Sequence, residues 1–121
     1  MNETNIKAIR GAVCCTNEKT EIIQKTIELY DKLLTANCIT EEDILSLFFS
    51  VTADINAINP ASALRQSGRA VDAAMMVFQE AAVLDSMPGT IRILIHAHMA
   101  AKKIVQHVYI HGAEVLRPDR G

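Results

Sequence analysis

The chain has no tryptophan, and only 4% of its 121 residues are aromatic although 50% are hydrophobic. Its core must therefore be built from Ile, Leu, Val, Ala and Met. A basic surplus is also missing: 12 Lys and Arg stand against 14 Asp and Glu, for a formal net charge of −2. Nucleic-acid binding thus has no electrostatic support, because phosphate contacts need a stripe of positive charge. No apolar run approaches the ~20 residues that span a bilayer. The opening MNETNIK lacks the charged and then apolar character of a signal peptide. Three cysteines, two of them adjacent at 14 and 15, make neither a disulfide framework nor a metal-ligand spacing. There are no repeats, low-complexity tracts or linkers. A single cytosolic, reduced domain over residues 1–121 is expected, long enough to bury a real core.

Patterning supplies the elements. Ile6 to Val13 is short and partly alternating, as in a strand, and puts Ile6, Ala8, Arg10 and Ala12 on one face. From Thr20 to Leu34, Ile23, Ile27, Tyr30 and Leu34 recur at helical spacing, with Glu21, Lys25, Glu28 and Lys32 opposite, which predicts an amphipathic helix. Thr40-Glu-Glu-Asp resembles a relaxed capping box opening one short turn. Leu45 to Val51 is strand-like. Asn59-Pro60 offers an N-cap and an N1 proline, and Gly68 a stop, so a short helix fits between them. Ala73 to Glu80, Thr90 to Met99 and His107 to Leu116 are further strand candidates. This order predicts an α+β fold, a mixed sheet with helices on one face.

Charges inside apolar runs are the chemical signal. Glu80 closes one run and Arg92 lies near the start of the next. Burying an unpaired charge costs several kcal/mol, so each needs a partner, water or a ligand. Arg10, Tyr109 and Arg117 are similarly placed, and Tyr109 and Arg117, eight apart, share a face if the last segment is a regular strand. Any one of these could simply emerge into water at a strand end. Several guanidiniums with one carboxylate and one phenol instead make a set suited to a polyanion, since Arg matches a carboxylate with a fork of donors. No nucleophile with an adjacent base and no phosphate loop accompanies them.

The ordered combination IRGA (9–12), EIIQKT (21–26), TAD, PASALR (60–65), QE (79–80), IR (91–92) and HVYIHGAEVLRPD (107–119) resembles the small monofunctional chorismate mutases of the Bacillus type, over nearly the whole chain. The resemblance implies a homotrimeric pseudo-barrel with active sites at subunit interfaces. It also implies rearrangement of chorismate to prephenate, towards phenylalanine and tyrosine, with no cofactor and no metal. A pericyclic shift within one molecule needs no nucleophile on the enzyme, which suits the missing nucleophile–base pair. By resemblance, Arg92 points at the breaking ether oxygen, Arg10 and Tyr109 grip the enolpyruvyl carboxylate, and Glu80 accepts from the ring hydroxyl. The substrate would then complete the pairing of Glu80 and Arg92. Arg65 and Arg117 match peripheral cations, and Leu116, Asn59, Ala61, Ser62, Met75, Met76 and Val77 fall at pocket positions. The sequence departs from the family pattern at Asn59, where an aromatic is common, at Ser62, where a lysine is common, and at Val77, where a cysteine is common. Its tail is also shorter.

Two other readings compete. His96 with His98 on one strand face, and His107 with His111, could be imidazole ligands of a metal, although no acid or cysteine joins them at a ligand spacing. A non-catalytic trimeric binder or regulator could keep the scaffold, and its mark would be loss of Arg92 or Glu80, both of which are present. Cys14 and Cys15 are expected to be small buried hydrophobes, and Met75, Met76, Met87 and Met99 core or interface fillers.

Overall fold

A computed structural model of the chain describes residues 3–116. It contains β1 (Thr4–Cys14), α1 (Lys19–Asn37), a 3₁₀ turn (Glu41–Asp43), β2 (Ile44–Val51), α2 (Pro60–Gln66), β3 (Ala74–Gln79), β4 (Thr90–Ala100), β5 (Val108–Ile110) and a second 3₁₀ turn (Ala113–Leu116). The strands form one sheet in the order β3-β2-β4-β1-β5. β4 pairs antiparallel with both β1 and β2, whereas β2–β3 and β1–β5 are parallel, so the sheet is mixed as expected.

Alternation decides which face the helices cover. Ile9 and Val13 of β1, Leu47 and Phe49 of β2, and Ile91, Ile93, Ile95, Ala97 and Met99 of β4 point the same way. They form one core with Ile22, Leu29, Tyr30 and Leu33 of α1 and Leu64 of α2. The capping box at Thr40 is real: Asp43 accepts from the Thr40 N–H at 2.8 Å. Asn59 caps α2, its Oδ1 accepting from the Ala61 N–H at 2.8 Å. α1 overruns the expected end at Leu34 by a turn, and it stops because Cys38 takes a left-handed φ of 54° while the Ile39 N–H reaches back to the Leu34 carbonyl. Among the described residues the opposite face of the sheet carries no helix. There the registers set rows of side chains across the strands: Ala12, Arg92, Ser50 and Phe78; then Arg10, Leu94, Phe48 and Met76; then Ala8, His96, Ser46 and Ala74. Met76 is 55% and Phe78 48% exposed on this bare face.

One expected element is different. The segment from His107 to Leu116 is not a regular strand: β5 ends at Ile110, and His111 (φ 54°) and Gly112 (φ 99°) turn the chain into the second 3₁₀ turn. The regular strand on which Tyr109 was to share a face with Arg117 thus ends at Ile110, and Arg117 itself lies outside the described residues.

Candidate active site

The β1–β5 register adds Tyr109 to the first row of the bare face, opposite Ala12. Tyr109, Ala12, Arg92, Ser50 and Phe78 thus run across the sheet in that order, with Arg10 one step away on β1. Ala12 is the small member between the phenol and the guanidinium. With Ala113, Cys14 and Leu116 it packs around Tyr109, which is 7% exposed. The second 3₁₀ turn therefore walls one side of the row.

Arg10, Arg92 and Tyr109 open onto one cavity of about 280 Å³, whose walls include Phe48, Ser50 and Phe78. Phe48 and Phe78 stack with centroids 6.2 Å apart and give it an apolar side. Glu80 follows the last residue of β3, and its N–H donates to the Val51 carbonyl at 2.7 Å, which carries the β2–β3 pairing one residue further. That brings its carboxylate to Arg92, whose Nε donates to Oε1 at 2.6 Å. The two charges therefore already pair with each other. The expectation that they stay apart until a substrate completes them is corrected here: the carboxylate and the guanidinium form one unit at the cavity edge.

The strand ends behind this unit are stapled. Thr52 and Thr90 exchange bonds, the Thr90 N–H donating to Thr52 Oγ1 at 3.0 Å and the Thr52 N–H to the Thr90 carbonyl at 3.1 Å. Asp54 accepts from the Gly89 N–H at 2.9 Å. The Thr52 hydroxyl, followed by that N–H, holds the Asp54 carboxyl below its usual range. Arg92 stands two residues beyond Thr90, so these bonds fix where β4 presents it.

The remaining predicted residues gather elsewhere. Ala61, Ser62 and Arg65 lie on α2 and Asn59 just before it, where the Asn59 side chain is engaged in capping and Arg65 is exposed. Met75 and Val77 pack towards the helix-side core, and Met76 stands on the outer strand of the bare face. Among the described residues none of these lines the cavity of Arg10 and Arg92. Leu116 packs beside Tyr109 without lining it. Within one chain, the predicted set is thus split between two regions.

A family model described as chorismate mutase type I matches residues 6–120. The chain belongs to the chorismate mutase type I family. It is 31% identical over 116 residues to the chorismate mutase AroH of Bacillus subtilis, a match covering 94% of this chain and 91% of that protein. To the chorismate mutase AroH of Thermus thermophilus it is 36% identical over 117 residues, covering 94% and 95%. The fold matches a solved chorismate mutase from Clostridium thermocellum with a TM-score of 0.81 at 35% identity, covering 90% of this chain and 98% of that one. The resemblance read from the ordered motifs and the α+β fold are both borne out.

The histidines weighed as ligands are dispersed. His96 meets Ser46 Oγ at 3.3 Å and the edge of Phe48, and His111 Nε2 meets Glu28 at 2.8 Å. His107 Nδ1 accepts the Arg10 N–H at 3.0 Å. Among the described residues no three His, Cys, Asp or Glu side chains converge as a metal would need, and no helix is long and apolar enough to cross a membrane. Cys14 and Cys15 are half-buried, and burial, followed by the Glu21 charge, pushes the Cys15 thiol up to about 11. Sequence reasoning missed Phe48, Ser50 and Phe78 as cavity walls. Alternation in LFFSV places Phe48 and Ser50 opposite the core residues Leu47 and Phe49, but nothing in it says which strand lies alongside.

Proposed function

We propose that this chain rearranges chorismate to prephenate, on the way to phenylalanine and tyrosine, as a homotrimer in the cytoplasm. The observation that carries the reading is the convergence of Arg10, Arg92 and Tyr109 on one cavity, with Glu80 against Arg92, in a member of this family. The reaction is intramolecular, so the protein's task is to hold a dicarboxylate in a compact chair and to stabilise charge as the ether bond breaks. Arg10 and Tyr109 grip the enolpyruvyl carboxylate and select the reactive conformer. Arg92 donates to the ether oxygen as it gains negative charge. Its Nε is taken by Glu80, so the terminal amino groups serve this role. The Glu80 contact also locks the guanidinium plane, and a donor fixed in advance costs no reorganisation in the transition state. The second carboxylate oxygen of Glu80 accepts from the ring hydroxyl and faces the electron-poor ring. No step requires a cofactor.

The division of the predicted residues supports an interfacial site. Asn59, Ala61, Ser62, Arg65, Met75, Met76 and Val77 of one subunit line the cavity of its neighbour, with Leu116 beside it and Arg117 as a peripheral cation. The bare sheet face, with Met76, Phe78 and Ile6 more than 45% exposed, is the apolar surface that the other copies cover.

The test is loss of chorismate absorbance with wild type and with Arg92→Ala. Wild type should consume chorismate rapidly. The variant should lose at least the ~10²–10³ in kcat typical of a missing oxyanion donor. A variant within threefold of wild type refutes the role of Arg92, and inactivity of wild type leaves a binding protein on the same scaffold. A monomer in light scattering refutes the shared site.

A further inference from the structure

β5 is three residues long, and its parallel pairing with β1 runs from Gly11↔Val108 to Val13↔Ile110. One step earlier the next position on β1 is Arg10 and the next on the other strand is His107. There the ladder is continued by a side chain: the Arg10 N–H donates to Nδ1 of the His107 imidazole at 3.0 Å. The chain leading to His107 is itself fixed. Asn37, 1% exposed at the end of α1, accepts from the Gln106 N–H at 2.8 Å and donates to the Gln106 carbonyl at 2.9 Å, while also donating to the Leu33 carbonyl at 2.8 Å. The helix terminus thus holds the residue next to His107, and His107 holds the backbone of Arg10.

We infer that His107 is a positioning residue for the reaction, acting through the Arg10 backbone. In a strand the direction of the side chain follows from the backbone, because Cβ points out of the pleat. A shift of β1 at Arg10 therefore swings a guanidinium at the end of a long side chain. β5 is too short to pin this position with a carbonyl, and a ring acceptor reaches where the backbone does not. The contact requires Nδ1 to be unprotonated, with any ring proton on Nε2. The inference rests on the reading of Arg10 as the carboxylate grip.

Two measurements test it. Nitrogen-15 NMR of the histidine rings in the full-length wild-type protein, free of chorismate, at a pH above the ordinary histidine range, should show Nδ1 of His107 as the unprotonated nitrogen. A protonated Nδ1 overturns the proposal, whatever the kinetics. The second is a kinetic cycle of His107→Leu, Arg10→Ala and the double variant, with His107→Asn as the conservative change whose amide oxygen can stand near Nδ1. A net hydrogen bond of about 0.5–1.5 kcal/mol corresponds to about 2- to 13-fold, so His107→Leu should raise KM by several-fold and change kcat less. His107→Asn should recover most of that change. In the Arg10→Ala background, His107→Leu should add nothing, because residues acting as a unit are non-additive. Equal losses in His107→Leu and His107→Asn, or full additivity with Arg10→Ala, overturn the inference. If His107→Leu fails to fold, the ring assignment and the His107→Asn kinetics still decide it. An Arg10→Ala variant with wild-type KM instead refutes the reading of Arg10, and the ring assignment continues to report the hydrogen bond by itself.

Discussion

Gly11→Ala should destabilise this protein although its backbone has no need of glycine's freedom. Gly11 lies on the helix side of β1, between two residues of the site. A Cβ built there falls 2.9 Å from the Val108 carbonyl oxygen and 3.0 Å from Cδ1 of both Leu29 and Leu33. The leucine methyls can turn away by a few tenths of an ångström. The carbonyl belongs to the β5 backbone and moves only if β5 moves. Two effects oppose one another. Alanine removes freedom from the unfolded chain and favours folding by about 0.4–1 kcal/mol where the native backbone suits it. Overpacking a close-packed site costs about 1–3 kcal/mol. The backbone contact puts the cost towards the upper part of that range, so overpacking wins with a net loss of about 1–2 kcal/mol. For a domain of this size that is a fall in Tm of about 3–10 °C. The assay is thermal and urea denaturation at one fixed protein concentration, since an oligomer's Tm depends on it. Moving β5 also moves Tyr109, so the KM for chorismate should rise in the folded variant. A Tm equal to or above that of wild type would show that β5 yields freely, and would refute the view that it is held as a rigid wall of the site.

Thr26→Val should stabilise: the Thr26 hydroxyl is buried and has no hydrogen-bond partner among the described residues, and valine keeps the shape without the ~1–3 kcal/mol penalty of an unsatisfied buried group. A lower urea midpoint would contradict that. The Asp54 carboxyl is held below its ordinary 3.8 in the fold, so its contribution to stability is present above that value and is lost as pH falls through the lower folded pKa. Urea midpoints across that window should fall less steeply for Asp54→Asn than for wild type, and parallel curves would refute the linkage. Among the cysteines, exposed Cys38 should react with a thiol reagent at pH 8 well before Cys15, whose thiol titrates at about 11. Mass mapping of the first labelled site that found Cys15 would contradict the burial.

Much of the fold was legible because local signals agreed with tertiary needs. The 3.6-residue period of α1 and the Asn59-Pro60 start of α2 are statements about faces and caps, and the structure honours both. The helix end was not legible. A stop is usually announced by glycine at the left-handed position, but here Cys38 takes it, held by its own N–H and that of Ile39 on the last carbonyls. The last strand was misjudged for a related reason. HVYIHGAEVL is apolar enough to read as continuous, yet an edge strand paired on one side has little to extend it once His111 and Gly112 adopt positive φ.

The site was legible only as chemistry. Charges inside apolar runs marked Arg10, Glu80 and Arg92 as residues needing a partner, but which partner depends on strand order, and β4 inserts between β2 and β1. That insertion sets Ser50 opposite Arg92, and the single bond from Glu80 N–H to the Val51 carbonyl brings the carboxylate level with the guanidinium. Neither can be inferred from spacing, because both are consequences of long-range register. The Glu80–Arg92 pair changes what the charges mean. A guanidinium waiting alone would have to be oriented by the substrate, at a cost in binding energy. Here a carboxylate 2.6 Å away already holds it, and the backbone that carries that carboxylate is in turn bonded to β2. The partial exposure of Arg92 keeps such a pair weak as a stabilising contact. Its value lies in fixing direction, which is what a reaction driven by conformational restraint requires.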